Sequence, residues 1–400
     1  MKIYSTYLSV LAVLALTACS KDNDEDLTMA NQSKNISVSL KGLSTKAVEP
    51  TDLFTKDTMN VNSVLIYLTD VNGTVVTSQT VTKDNVLNSD WHKLTDPSLG
   101  LKFVNIPQAV SKVYVYGNPG NAVNNNIIST TLADQQGSMV LYNGSDDDLT
   151  PIENEPIDPD PTSGKTYMAS ISIAPVVARL QIRSITIKPS GSFLFTRKIN
   201  NVDKTATVSW TNFSADIMGI YMNGFYNAYN NPGNLEQLCS NTTFTSHIAN
   251  GQWLFENNPT LDAASFASYN KFDGTNYQPL PTALNGKCYA FNFFPGTEVP
   301  KLHLDLANIK IENLASTDQA VFNPALITNV RFANIVKYYK DVNTEMVASD
   351  FKPGTIYNMD IELIPVLDND LRNIQYNVLV KVSIEPWKEE TIIPGFDLEQ

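Results

Sequence analysis

Residues 35–50 read NISVSLKGLSTKAVEP. Ile36, Val38 and Leu40 alternate with Ser37, Ser39 and Lys41. A period of two marks a strand with one buried face. Behind it comes a polar link with one basic residue, Lys46, followed by Ala47 and a proline at position 50. A core-facing strand on a cuttable tether near the start of a chain is a strand that can be removed. Residues 20–46 are therefore read as an acidic tether and a removable leader strand.

The rest of the chain repeats the same kind of element. Short β-prone runs separated by Gly, Pro, Asn, Thr and Ser predict an all-β protein. The 400 residues suggest two or three domains, and 42% hydrophobic residues are enough to build cores. A net charge of −13 speaks against a nucleic-acid partner, whose phosphates need a basic surface.

The N-terminus carries the most specific local signal. Lys2 is followed by a short apolar run over residues 8–18, then by Leu16-Thr17-Ala18-Cys19, which matches a bacterial lipobox. An apolar run this short is a secretion signal rather than a membrane span. Residues 1–19 are thus a lipoprotein signal peptide, with Cys19 as the lipidated (palmitate-bearing) first residue of the exported chain. An ordinary signal peptide with an incidental cysteine is the blander alternative. The acidic run at residues 20–26, SKDNDED, resembles a surface-export signal of Bacteroidetes lipoproteins, or is simply a solvated tether. Cys239 and Cys288 are the other two cysteines, and an exported compartment permits either a disulfide or two buried thiols.

Asn72-Gly73 between two β-prone runs predicts a hairpin. Further strands are expected at residues 101–106, 112–117 and 138–142, with one helical turn near 130–136. Residues 143–166 alternate carboxylates with four prolines and read as extended, solvated chain without a regular ladder. A boundary at Pro175 divides residues 47–175 from 176–400. In the second half, residues 219–237 read as an ordered surface loop and 261–269 as a short helix. The tail, residues 377–385, reads NVLVKVSIE and sets Val378, Val380, Val382 and Ile384 on one face.

No catalytic constellation is legible. The three histidines, His92, His247 and His303, occupy no metal-ligand spacing, and no nucleophile elbow or phosphate loop occurs. No cofactor or metal is implied, and the expectation is a protein without catalysis.

Several stretches together resemble one family: the lipobox at Cys19, the strand ahead of Lys46, KFVNIPQAVSKVYVYGNPG from Lys102, VVARLQIRSI from Val176, FKPGTIYNMDIEL from Phe351, and VLVKVSIEPWKEETIIPGF at the end. This ordered set is similar to the fimbrillins, the major and minor subunits of Bacteroidetes type V pili. The resemblance implies two transthyretin-like β-sandwich domains in tandem and export to the outer membrane as a lipoprotein. It also implies removal of the leader by a trypsin-like protease, and self-polymerisation alongside anchor and tip or accessory subunits. The groove left by the leader would take the C-terminal strand of the next subunit. Ile36, Val38 and Leu40 in the leader are then matched by Val378, Val380, Val382 and Ile384 as donor strand. Burying four aliphatic side chains is worth about 6–12 kcal/mol gross. One departure stands out: no arginine precedes Arg179, and Lys46 stands where the family's arginine would stand, so either the protease cuts between Lys46 and Ala47 or the subunit keeps its leader. The alternative reading is a surface lipoprotein that binds a glycan or host protein as a tip adhesin or receptor, with residues 219–237 and Trp253 as stacking platforms.

Overall fold

The computed structural model describes residues 33–41, 58–59, 61–96, 98–135, 139–142, 147–151, 166–230, 234–240, 253–256, 278–324, 332–335, 338, 344–365, 376–386 and 388–389. The chain is all-β, built from several sheets, as its alternating runs predict.

The first part of the chain supplies β1 (Ser33–Leu40), β2 (Thr58–Met59), β3 (Ser63–Thr69) and β4 (Val75–Thr82). The β3–β4 turn forms where Asn72-Gly73 predicts it. Gly73 takes φ +81°, and the Asp70 carboxylate accepts the N–H groups of Asn72 and Thr74 at 2.9 and 2.8 Å. A short helix, α1 (Asp90–Thr95), follows, capped by Ser89, whose hydroxyl accepts the His92 N–H at 3.1 Å. It buries Trp91 and Leu94.

Next come β5 (Leu101–Pro107), β6 (Lys112–Gly117), β7 (Val123–Asn124), β8 (Ile127–Thr131) and a 3-10 turn at Ala133–Gln135. The expected strand at 138–142 is reduced to a bridge that joins Leu141 to Gly117 and to Pro175. The carboxylate- and proline-rich segment is not wholly without pairing. β9 (Asp147–Asp148) and β10 (Thr150–Pro151) join β6 and β11 (Thr166–Ile171) for two residues each. β9 and β10 end their sheets, where proline is tolerated.

Two sheets result, ordered β10-β11-β1-β5 and β4-β3-β6-β9. Ile36, Val38 and Leu40 of the first lie in one apolar core with Val64, Ile66 and Leu68 of the second.

After Pro175 the strands lengthen: β12 (Ala178–Ile187), β13 (Gly191–Ile199) and β14 (Val202–Asn223). Asn200 and Asn201, both at positive φ, turn β13 into β14. β15 (Phe225–Asn230), β16 (Asn234–Cys239), β17 (Leu254–Glu256), β18 (Tyr289–Phe293), β19 (Lys301–Ser316) and β20 (Phe332–Ile335) follow. The chain then runs through β21 (Thr355–Pro365), β22 (Tyr376–Pro386) and β23 (Lys388–Glu389). These make the sheets β18-β12-β21-β22 and β13-β14-β19-β20, and a third, β16-β15-β8-β7, ties strands from both sides of Pro175.

The described residues of 219–237 are not a surface loop. They form the end of β14, then β15 and most of β16. Gly219 and Gly224 serve packing rather than a loop. A Cβ on Gly219 would lie 2.6 Å from the Phe255 ring, and Gly224, at φ +77°, sits against the Val299 carbonyl. The expected helix at 261–269 lies outside the described residues.

Candidate functional site

β1 is an inner strand, parallel to β11 on one side and antiparallel to β5 on the other. It is the only strand with which β5 pairs among the described residues. Its register sets Ile36 opposite Tyr167 and Phe103, and Val38 opposite Ala169 and Leu101. Ile36 and Val38 are 0% exposed and Leu40 is 1% exposed. All three expected leader residues therefore point into the core. At the far end of the strand the Lys41 N–H donates to the Ile171 carbonyl at 2.7 Å.

The opposite side of the strand is held by small groups. The Ser39 and Ser170 hydroxyls meet at 3.4 Å. Ser37 lies so close to Gly100, itself at φ +66°, that a Cβ there would come 2.0 Å from the Ser37 Oγ. The Asn35 side-chain carbonyl accepts the Asn105 N–H at 3.3 Å.

Lys34 completes the buried face, and the sequence reading missed it. It is 5% exposed. Its ammonium donates to the Val110 carbonyl and, at 3.2 Å, to that of Gln108, and stands 4.8 Å from the centre of the Tyr167 ring. The signal was present in its parity, since Lys34 shares the even-numbered face of Ile36, Val38 and Leu40. Burial lowers its pKa. The folded chain therefore binds fewer protons than the unfolded chain between that lowered value and the ordinary lysine value of about 10.4. Stability contributed by this site should rise with pH through that window. Buried tyrosines such as Tyr357, pushed upward by burial, act in the opposite sense at alkaline pH. The difference in urea stability between wild type and Lys34→Met, followed from pH 7 to 10, isolates the lysine; the gap should narrow as pH rises, and a constant gap would refute it.

The tail is paired within its own chain. β22 runs antiparallel to β21 over eleven residues, with Val378, Val380, Val382 and Ile384 opposite Leu363, Ile361, Met359 and Tyr357. β23 runs parallel to β2, so the tail also touches the segment that follows the leader. Cys19, Lys46 and Ala47 lie outside the described residues.

Other candidates from the sequence play different parts. Trp253 is 4% exposed and packs edge-on against His303, so it offers no open stacking surface. Cys239 and Cys288 are both buried and no disulfide joins them. Among the described residues no three His, Cys, Asp or Glu side chains gather as a metal site. A cleft of about 440 Å³ of mixed lining, Asn62, Asn118, Thr130 and Asp134 with Ala122 and Val140 among others, opens beside β8.

No protein-family profile matches the chain, and no curated protein matches it in sequence. Its fold is similar to solved structures of low identity. A proposed cell adhesion protein from Bacteroides eggerthii is 12% identical with a TM-score of 0.44, over 89% of this chain and 98% of that one. A fimbrilin from Porphyromonas gingivalis is 14% identical with a TM-score of 0.42, over 90% and 99%. The tip fimbrial protein Mfa3 of the same species, truncated at its C-terminus, is 9% identical with a TM-score of 0.42, over 89% and 100%.

Proposed function

We propose that this chain is a structural subunit of a cell-surface fimbria, made as an outer-membrane lipoprotein anchored through Cys19. In this reading a trypsin-like protease cuts between Lys46 and Ala47, β1 leaves, and the tail of another copy takes its place. Anchor and tip subunits would begin and end the fibre. The observation that carries the reading is the position of β1: an inner strand, fully buried on one face, contributed by the chain terminus that bears the lipobox.

Its departure would strip β5 of its described partner strand and open an apolar trough bordered by unpaired backbone groups of β5 and β11. Such a trough is a template for strand addition. A tail given to one neighbour and a groove filled by another is a heterologous contact, which propagates as an open filament.

Limited digestion of the folded precursor with a trypsin-like protease should give a mature chain starting at Ala47 and a ladder of multimers resistant to SDS. A mature chain starting at Gly42 would move the cut to Lys41. A chain that loses its leader and stays monomeric at high concentration would sink the proposal.

A further inference from the structure

The leader and the tail fit each other in one register better than in its neighbours. Placing Val380 on Ile36 lays VKVSI, residues 380–384, over ISVSL, residues 36–40. Val382 then falls on Val38, Ile384 on Leu40, and Ser383 on Ser39, where a hydroxyl is needed opposite Ser170. Lys381 falls on Ser37, which is only partly buried, so its long stem can carry the ammonium to water.

The alternatives fail on the same side of the strand. A two-residue slip one way puts Lys381 at Ser39, which is 4% exposed. A slip the other way puts Glu385 there and Pro386 in place of Leu40, whose buried aliphatic side chain it would not replace. A slip of one residue turns the valines outward.

In the favoured register Val378 falls on Lys34. The leader buries an ammonium whose partners are two backbone carbonyls and the Tyr167 ring, and among the described residues no carboxylate pairs with it. A buried charge costs free energy unless it is well paired, whereas a valine in the same seat carries no such cost. We infer that the tail of a second copy enters the seat of β1 with Val380 at the place of Ile36, and that Lys34 makes the leader the weaker of the two occupants. The inference rests on the strand-exchange reading and adds its register and its direction. Ile36, Val38 and Leu40 hold the precursor closed well enough to fold despite Lys34, and Val378 draws the exchange forward.

The test follows leader release and multimer growth after digestion of the folded precursor. Lys34→Met in the leader should slow exchange by at least about tenfold, because it removes the buried charge from the departing strand. Val378→Lys should slow it comparably by putting the charge into the incoming one. Register is read independently of rate. Ser170→Cys with Ser383→Cys should form a disulfide between copies on oxidation, while Ser170→Cys with Lys381→Cys or with Glu385→Cys should not. Multimers that form at wild-type rate in both charge variants, or that crosslink through position 381 or 385, would overturn the inference and leave strand exchange standing. A digested wild-type chain that forms no multimers would sink both.

Discussion

A precursor carrying Val38→Asp should lose most of its margin of stability. Val38 has no exposed surface, and its neighbours in the ladder, Ala169 and Leu101, are 1% and 3% exposed. A carboxylate there would stand in the apolar core, with the hydroxyl pair Ser39–Ser170 on the adjacent position. Burying an uncompensated carboxylate and losing the packing of a valine together should cost at least about 4 kcal/mol. Whole domains are stable by only about 5–15 kcal/mol. The loss also spreads, because β5 pairs with no described strand other than β1. The matched control is Val104→Asp on β5, at a side chain 62% exposed, where a change within about 0.5 kcal/mol is expected. Urea denaturation of the two variants decides the matter. Equal stability would mean that β1 is a dispensable strap rather than a core strand, and the removable-plug reading would fail with it.

How much of this was legible beforehand depends on whether a signal was local. Ile36, Val38 and Leu40 announce a buried face because alternation is a property of the strand itself, and the Asn72-Gly73 turn is equally local. Lys34 shares that alternation, but a lysine beside a polar tether reads as exposed until Gln108, Val110 and Tyr167 are seen around it. Residues 219–237 misled for the converse reason. Their Asn, Tyr and Gly content suggests a loop, yet Gly219 and Gly224 are fixed by Phe255 and Val299, residues distant in sequence. The helix α1 was missed because six residues leave too short an apolar pattern to read. The home of β22 beside β21 is a question of which sheet edge an alternating strand chooses. Its side-chain period fits a groove of another copy and an edge of its own chain equally well.

That double fit makes loss of the tail the other large effect. A chain lacking residues 377–400 should form no multimers after digestion, at any concentration, since nothing remains to fill the emptied groove. It should also be less stable than the full chain before digestion. β21 would lose a partner along its whole length, and Ile356, Tyr357, Met359, Ile361 and Leu363 on that strand are all at most 1% exposed. Three-state behaviour follows: the tail must leave β21 before it can enter a neighbour, so multimer growth should depend on temperature more steeply than leader cleavage does. A synthetic peptide of residues 377–385 separates the two seats. Added to digested, truncated monomer, it should bind without producing multimers, and a peptide bearing Ser383→Cys should crosslink to Ser170→Cys in the groove. Crosslinking only to Asn358→Cys, the residue opposite Ser383 within the chain, would assign the tail to its own sheet alone. Multimers formed by the truncated chain would assign polymerisation to some other segment. Growth by strand exchange would then rest on two differences, the tail in the seat of β1 against the tail beside β21, and the tail against the leader in the seat of β1; the charge of Lys34 weighs on the second.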